Sequence, residues 1–146
     1  MSPESCEQLV LRFFEEGWNQ GRVQVLDEVL ASDFVSHDPL LPMGKVEGRE
    51  QYKLYVDNLR TAFPNFRVEV ERQLQMFDQV VCLVVFRGTQ LGTIDGGDSQ
   101  HKQVATTWIS ILRLGDGQVQ EEWIKATEPE AVRTVLGPSV MQTLAQ

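Results

Sequence analysis

Only two cysteines occur in the 146 residues, Cys6 and Cys82, far apart and in no ligand spacing. They encode neither a disulfide framework nor a zinc site. Long hydrophobic runs are missing too. The longest, Val80 to Phe86, falls far short of the ~20 apolar residues that cross a bilayer. Basic residues are scarce: 13 Lys and Arg against 21 Asp and Glu leave a net charge of −8. Such a surface repels phosphate backbones and anionic lipid, which argues against nucleic acid and membrane as partners. The acidic excess is spread along the chain rather than gathered in a tail, so it serves solubility. Met1 to Glu7 has no basic region and no apolar signal core, and a cytoplasmic location is the expectation. No nucleophile elbow, dinucleotide fingerprint or P-loop occurs. Gly96-Gly97 lacks the lysine of a phosphate cradle, and His37 and His101 alone make no convincing zinc site. The expected metal and cofactor content is therefore none.

What is present is an ordinary globular balance, 42% hydrophobic and 23% charged. That excludes intrinsic disorder and fits one domain spanning residues 1–146. A chain of this length buries roughly 70% of its unfolded surface, enough for one core.

The hydrophobic period divides the chain into a helical block and a strand block. Ser2 and Pro3 supply an N-cap and a first-turn proline, and Leu9, Val10, Phe13, Phe14 and Trp18 repeat at helical spacing. A helix is predicted from Pro3 to about Asn19, ended by Gly21. A second follows over Val23 to Leu30 and a third over Arg49 to Phe63, stopped by Pro64. Asp33 to His37 reads as a brief extended piece, and Gly44 to Gly48 as a loop. From Phe66 the period becomes two, with Phe66, Val68 and Val70 alternating with Arg67, Glu69 and Glu71. Further strands are predicted over Val80 to Thr89, Val104 to Leu114 and Val119 to Ile124. Gly92 to His101 reads as a glycine-rich connection, and Gly115-Asp116-Gly117 as a tight hairpin turn. A last helix covers about Pro129 to Leu136. Helices followed by a meander of long strands give an α+β fold, a strongly curved antiparallel sheet wrapped around the N-terminal helices. Incomplete cover of that sheet would leave a cone-shaped pocket for a small molecule.

An ordered series of short motifs carries a resemblance. It runs Trp18-Asn19-Gln20-Gly21, Phe34-Val35-Ser36-His37-Asp38-Pro39, Gly48 leading into Tyr52, and Leu59-Arg60-Thr61-Ala62-Phe63-Pro64-Asn65-Phe66. It continues with Gly88-Thr89-Gln90-Leu91-Gly92, Arg113 with Asp116-Gly117, and Glu121-Glu122-Trp123. The series, from about residue 5 to 137, resembles the SnoaL-like polyketide cyclases of the nuclear transport factor 2-like superfamily. The resemblance implies a cystatin-like roll cupping a pocket, a homodimer, and cofactor-free chemistry, typically an aldol closure assisted by an acidic residue. Two positions depart from the family. Gln90 stands where the family has a histidine, and Ser110 where the aldol cyclases carry an aspartate. Neither side chain takes a proton near neutral pH without a neighbouring base.

If Gln90 faces the pocket, Phe86, Val84 and Cys82 share its face; if Ser110 does, so do Thr106, Trp108 and Leu112. On the last strand Val119, Glu121 and Trp123 share the side expected to be inner, and a slip of one residue reverses the assignment. His37 is the first candidate for proton transfer, since imidazole titrates near about 6.5. The plainer reading is a histidine that holds the Asp38-Pro39 turn. Glu121 is the second candidate, a carboxyl desolvated between Val119 and Trp123, or else an ion-pair partner of Arg113 or Arg87. Gln90, Ser110 or Thr106 would donate hydrogen bonds to an enolate oxygen. Trp18, Tyr52, Phe63, Phe86, Trp108 and Trp123 would line the pocket, although Phe63 and Tyr55 also suit a plain core. Asn19 would bind substrate or cap its helix.

The expected function is acid–base cyclisation or isomerisation of a hydrophobic, polyketide-like intermediate without a cofactor. The alternative is a non-catalytic small-ligand binder or dimeric scaffold on the same fold. Epoxide hydrolysis needs carboxylates flanking an arginine, which cannot be placed here. Thr107, Ile109 and Ile111 form an apolar row on the outer sheet face, the expected homodimer surface.

Overall fold

In a computed structural model of the chain, residues 2–41, 43–93 and 99–126 are described, with backbone alone at 90–93 and 99–102. The helix expected over Pro129 to Leu136 and the Gly96-Gly97 turn lie outside the described residues. Helix α1 spans Pro3–Leu11, with Ser2 Oγ accepting from Ser5 N at 3.1 Å. The expected single helix then widens into a π-helix over Arg12–Asn19. The wider turn brings Phe13, Phe14, Gly17 and Trp18 onto one buried side. Gly17 lets that turn press against α2 (Val23–Val29), because a Cβ there would sit 2.6 Å from Leu26. Gly21 ends the π-helix at φ +67°, and a Cβ at that position would meet the Arg60 guanidinium at 2.7 Å.

The sheet has six strands where four were expected. They are β1 (Leu30–His37), β2 (Lys45–Glu47), β3 (Arg67–Met76), β4 (Gln79–Thr93), β5 (Ser99–Gly115) and β6 (Gln118–Ala126). Their order is β2-β1-β6-β5-β4-β3. Strand β1 is longer than the Asp33 to His37 piece predicted, and β2 occupies the expected 44–48 loop. Strands β4 and β5 run on into the expected 92–101 connection, pairing Gly92 with Gln100 and Thr93 with Ser99. Neighbours are antiparallel except β1 and β6, which run parallel; between them the chain passes through β2, the helix over Arg49–Ala62 and the β3–β5 meander. The β5–β6 hairpin turns on Asp116 (φ 54°) and Gly117 (φ 75°), the positive pair that a two-residue turn requires.

Helix α3 (Arg49–Ala62) and the π-helix pack on the inner sheet face. Their rings interlock. Trp18 lies 6.2 Å from Trp108 and 6.3 Å from Tyr52, Tyr52 lies 5.0 Å from Phe34, and Phe63 lies 5.3 Å from Phe86. All are buried. Packing of helices on the sheet fixes which residues face inward: Phe34 and Ser36 on β1 with Asp38 just beyond it, Val84 and Phe86 on β4, and Thr106, Trp108, Ser110 and Leu112 on β5. No helix among the described residues is long and apolar enough to cross a membrane.

Candidate active site

A register shift in β6 decides the chemistry of the inner face. Arg113 pairs with Glu121, but the next residue, Leu114, pairs with Val119, which leaves Gln120 as an extra residue. A bulge of this kind breaks strict alternation. Val119 faces inward, as expected, but beyond the bulge the inward residues are Glu122 and Ile124. Glu121 and Trp123 therefore face outward, opposite to the expectation.

His37 lies outside as well. It pairs in register with Trp123 across the parallel β1–β6 ladder, and its ring stacks on the indole at 5.6 Å and 14°. Its Nε2 sits 2.5 Å from Glu121 Oε2, and Arg113 Nη2 donates to Glu121 Oε1 at 3.1 Å. Of the two arginines considered for Glu121, Arg113 is the partner; Arg87 approaches Glu69 at 3.9 Å. The imidazole expected inside the pocket thus lies on the outer surface, hydrogen-bonded to Glu121. Asp38, next in sequence, points the other way and accepts from Leu40 N at 3.0 Å, a turn bond that does not orient His37.

The bonds from His37 and then Arg113 hold the Glu121 carboxyl below its ordinary range, against some desolvation. A depressed carboxyl stabilises the fold above its unfolded value of about 4.3, and that contribution is lost as pH falls through the folded value. With both partners about a quarter to a third exposed, Glu121→Gln should cost no more than about 1 kcal/mol at pH 7. Urea titrations should show that difference shrinking as the pH is lowered below the ordinary carboxylate range.

Inside, the sequence reading missed Glu122. This carboxyl is 1% exposed, and Ser36 Oγ donates to its Oε1 at 2.7 Å. Ser110, diagonally placed on β5, supports it from the other side. Burial pushes the Glu122 carboxyl up to about 7; the serine bonds oppose that rise, and the charge of Asp38 adds to it. Asp38 is itself raised by burial. Cys82, paired in register with Ser110, is pushed up to about 12 by burial and by Glu122. A legible signal did exist. Alternation counted backwards from Ile124, rather than forwards from Val119, selects Glu122.

The remaining candidates divide. Trp18, Tyr52, Phe63, Phe86 and Trp108 all lie on the inner side, but as a ring cluster in mutual contact. Trp18 Nε1 donates to Tyr52 Oη at 3.1 Å, and Trp108 Nε1 to Ser110 Oγ at 3.0 Å. Thr106 Oγ1 is buried with no hydrogen-bond partner among the described residues. The side chain of Gln90 lies outside the described residues; its backbone pairs with Lys102. Asn19 does not reach the inner face. Its amide clamps the edge strand β3, donating to Val68 O at 2.8 Å and accepting from Val68 N at 2.7 Å. Asn19 thereby supplies the bonds that a seventh strand would give. Asn19→Ala should cost about 1–3 kcal/mol in urea unfolding, since it strands two backbone groups.

Among the described residues no three His, Cys, Asp or Glu side chains cluster as a metal site requires. What the inner face offers is a buried carboxyl, pushed up by that burial, between two hydroxyls and among aromatic rings. Such a group can both accept and return a proton near neutral pH.

The family model for the SnoaL-like polyketide cyclases matches residues 8–128. A search of curated proteins finds no match. Among solved structures, a protein described as a SnoaL-like polyketide cyclase from Jannaschia sp. CCS1 is 28% identical, with a TM-score of 0.75 over 94% of this chain and 97% of that one. A protein described as a polyketide cyclase from Bacillus cereus is 25% identical, with a TM-score of 0.73 over 94% and 85%. One so described from Acidithiobacillus ferrooxidans shares the fold at 22% identity and a TM-score of 0.77, over 92% and 97%. The matched span takes in β1, α3 and β6, the elements that carry Ser36, Tyr52 and Glu122. The chain belongs to the SnoaL-like polyketide cyclase family.

Proposed function

We propose that the protein is a cofactor-free acid–base catalyst, closing or isomerising a hydrophobic polyketide-like intermediate, with Glu122 as the proton-transfer group. The observation that carries this reading is the Glu122 carboxyl, buried at 1% exposure between two serine hydroxyls and pushed up to about 7. As carboxylate, Glu122 removes a proton from a carbon between two carbonyls and leaves an enolate. The enolate carbon attacks a second carbonyl of the same molecule, one C–C bond forms, and the resulting alkoxide takes the proton back from Glu122. Atoms balance, so the product is an isomer of the substrate. The Thr106 hydroxyl, buried and without a partner among the described residues, supplies a donor for the enolate oxygen, worth roughly 10²–10³-fold. Because the inner rings touch one another, the substrate must part them on entry.

The test is deuterium uptake by an aryl β-diketone in D2O, followed by NMR. The expected result is protein-dependent exchange that rises with pH through about 7. Exchange at the buffer rate overturns the reading. The tight ring cluster favours one second reading, a binder without turnover. That reading would show as a small hydrophobic molecule carried through purification and released unchanged.

The outer face completes the proposal. Val81 pairs with Ile111 and Leu83 with Ile109 in register, giving a half-buried apolar patch beside Thr107. A second copy of the chain is its proposed cover, bringing two sheets face to face. Sedimentation at micromolar concentration should return twice the 16.6 kDa chain mass. Ile109→Asp should return a monomer. A wild-type monomer under those conditions overturns the dimer.

A further inference from the structure

Two serine hydroxyls flank Glu122, Ser36 on β1 and Ser110 on β5. An indole N–H can only donate, whereas a serine hydroxyl donates one proton and accepts on its lone pairs. Trp108 Nε1 donates to Ser110 Oγ at 3.0 Å, with both residues buried on the inner face of β5. That bond occupies a lone pair of Ser110 and leaves its proton to go elsewhere. Glu122, on the same face of β6 and one diagonal step away, is the acceptor on hand. On its other side Glu122 Oε1 already takes the proton of Ser36 at 2.7 Å.

We propose that Trp108 is a positioning residue for the acid–base carboxyl, acting through Ser110: the indole N–H aims the Ser110 proton at Glu122. The carboxyl then sits between two hydroxyls, Ser36 donating to it and Ser110 biased to donate because the indole fills one of its two acceptor sites. Without the indole bond, the Ser110 hydroxyl is free to turn and to accept from a protonated Glu122, which would favour the neutral acid. The arrangement offsets part of the burial that opposes ionisation, and keeps the carboxyl within range of neutral pH. The role in catalysis rests on Glu122 being the proton-transfer group; the donor chain itself does not.

The test needs no substrate. Glutamate labelled with 13C at Cδ reports the Glu122 titration by NMR, its signal identified by loss in Glu122→Gln. Trp108→Phe keeps a ring and removes the N–H, and should raise the Glu122 midpoint, by about threefold in the acid constant. Ser110→Ala should raise it by roughly tenfold. The double variant should go no further than Ser110→Ala alone, because the indole acts only through the hydroxyl. Ser110→Thr should restore the wild-type midpoint. An unmoved midpoint in Trp108→Phe, or fully additive effects, overturns the proposal. Should Trp108→Phe fail to fold, the unaltered protein still decides. Its Trp108 indole N–H resonance should titrate with the Glu122 midpoint and cease to do so in Ser110→Ala; a resonance indifferent to that midpoint overturns the proposal. Intact coupling alongside absent deuterium exchange would retain the donor chain and discard the catalytic reading.

Discussion

Glu122→Gln should lower proton transfer to and from a β-diketone by roughly 10²–10⁴-fold, the usual worth of a positioned acid–base group, and should leave the fold intact. Glutamine keeps the volume and can still accept from Ser36, so the inner packing survives. What it loses is the exchangeable carboxyl proton. The measurement is the initial exchange rate across pH 5 to 9. In the wild type the rate should climb through about 7, where the carboxyl ionises, and in the variant that step should vanish. Unchanged rate and profile would remove Glu122 from the mechanism.

The same substitution should stabilise the protein in alkaline solution. Glu122 has a folded pKa raised from 4.5 to about 7, so the unfolded chain releases this proton first as pH rises. Between those values the folded state binds more protons than the unfolded state, and stability falls with increasing pH. The loss is complete above about 7 and amounts to roughly 3 kcal/mol, from the difference between the two values. Glu122→Gln should therefore gain up to about 3 kcal/mol over wild type at pH 8, and no such gain at pH 4. Chemical denaturation at the two pH values checks the sign. A strained acid kept at such a cost is the trade expected at a functional position.

Trp18→Ala should be the most damaging of the single truncations considered, by about 3–5 kcal/mol. The indole is 3% exposed and meets Tyr52, Tyr55, Phe66 and Trp108 at 5.9 to 6.3 Å between centroids. Its N–H is bonded to Tyr52, and its backbone carbonyl takes the Arg60 guanidinium. Truncation leaves a cavity where the π-helix, α3 and the sheet meet, and it removes the donor that engages the Tyr52 hydroxyl. Against a total stability of about 5–15 kcal/mol, that loss is enough to unfold much of the population at 37 °C. Thermal unfolding would show it directly. A variant as stable as wild type would mean that Trp18 lines an adaptable wall rather than a packed core.

Much of the architecture was legible because it depends on local sequence. The N-cap at Ser2, the stop at Gly21, the period-two run from Phe66 and the Asp116-Gly117 turn are each written within a few residues, and each forms where it was read. The π-helix was not legible, since Phe13, Phe14 and Trp18 fit helical spacing in either winding. Nor was β2, whose three residues are a strand only because β1 is there to pair with them. At the site, the correct elements were found on the wrong faces. His37 and Glu121 do meet, at 2.5 Å, but on the outside.

The sequence by itself determined the α+β composition, the acidic balance and the lack of a long apolar run, which follow from composition and short-range pattern, and it carried the family as a resemblance in an ordered series of motifs. Only the tertiary structure decided which of two adjacent glutamates is buried. One extra residue at Gln120, taken up by pairing with β5, turns Glu122 inward and Glu121 outward. Side-chain direction in a strand alternates with period two, so counts from Val119 and from Ile124 disagree, and only the bulge between them settles which residues turn inward.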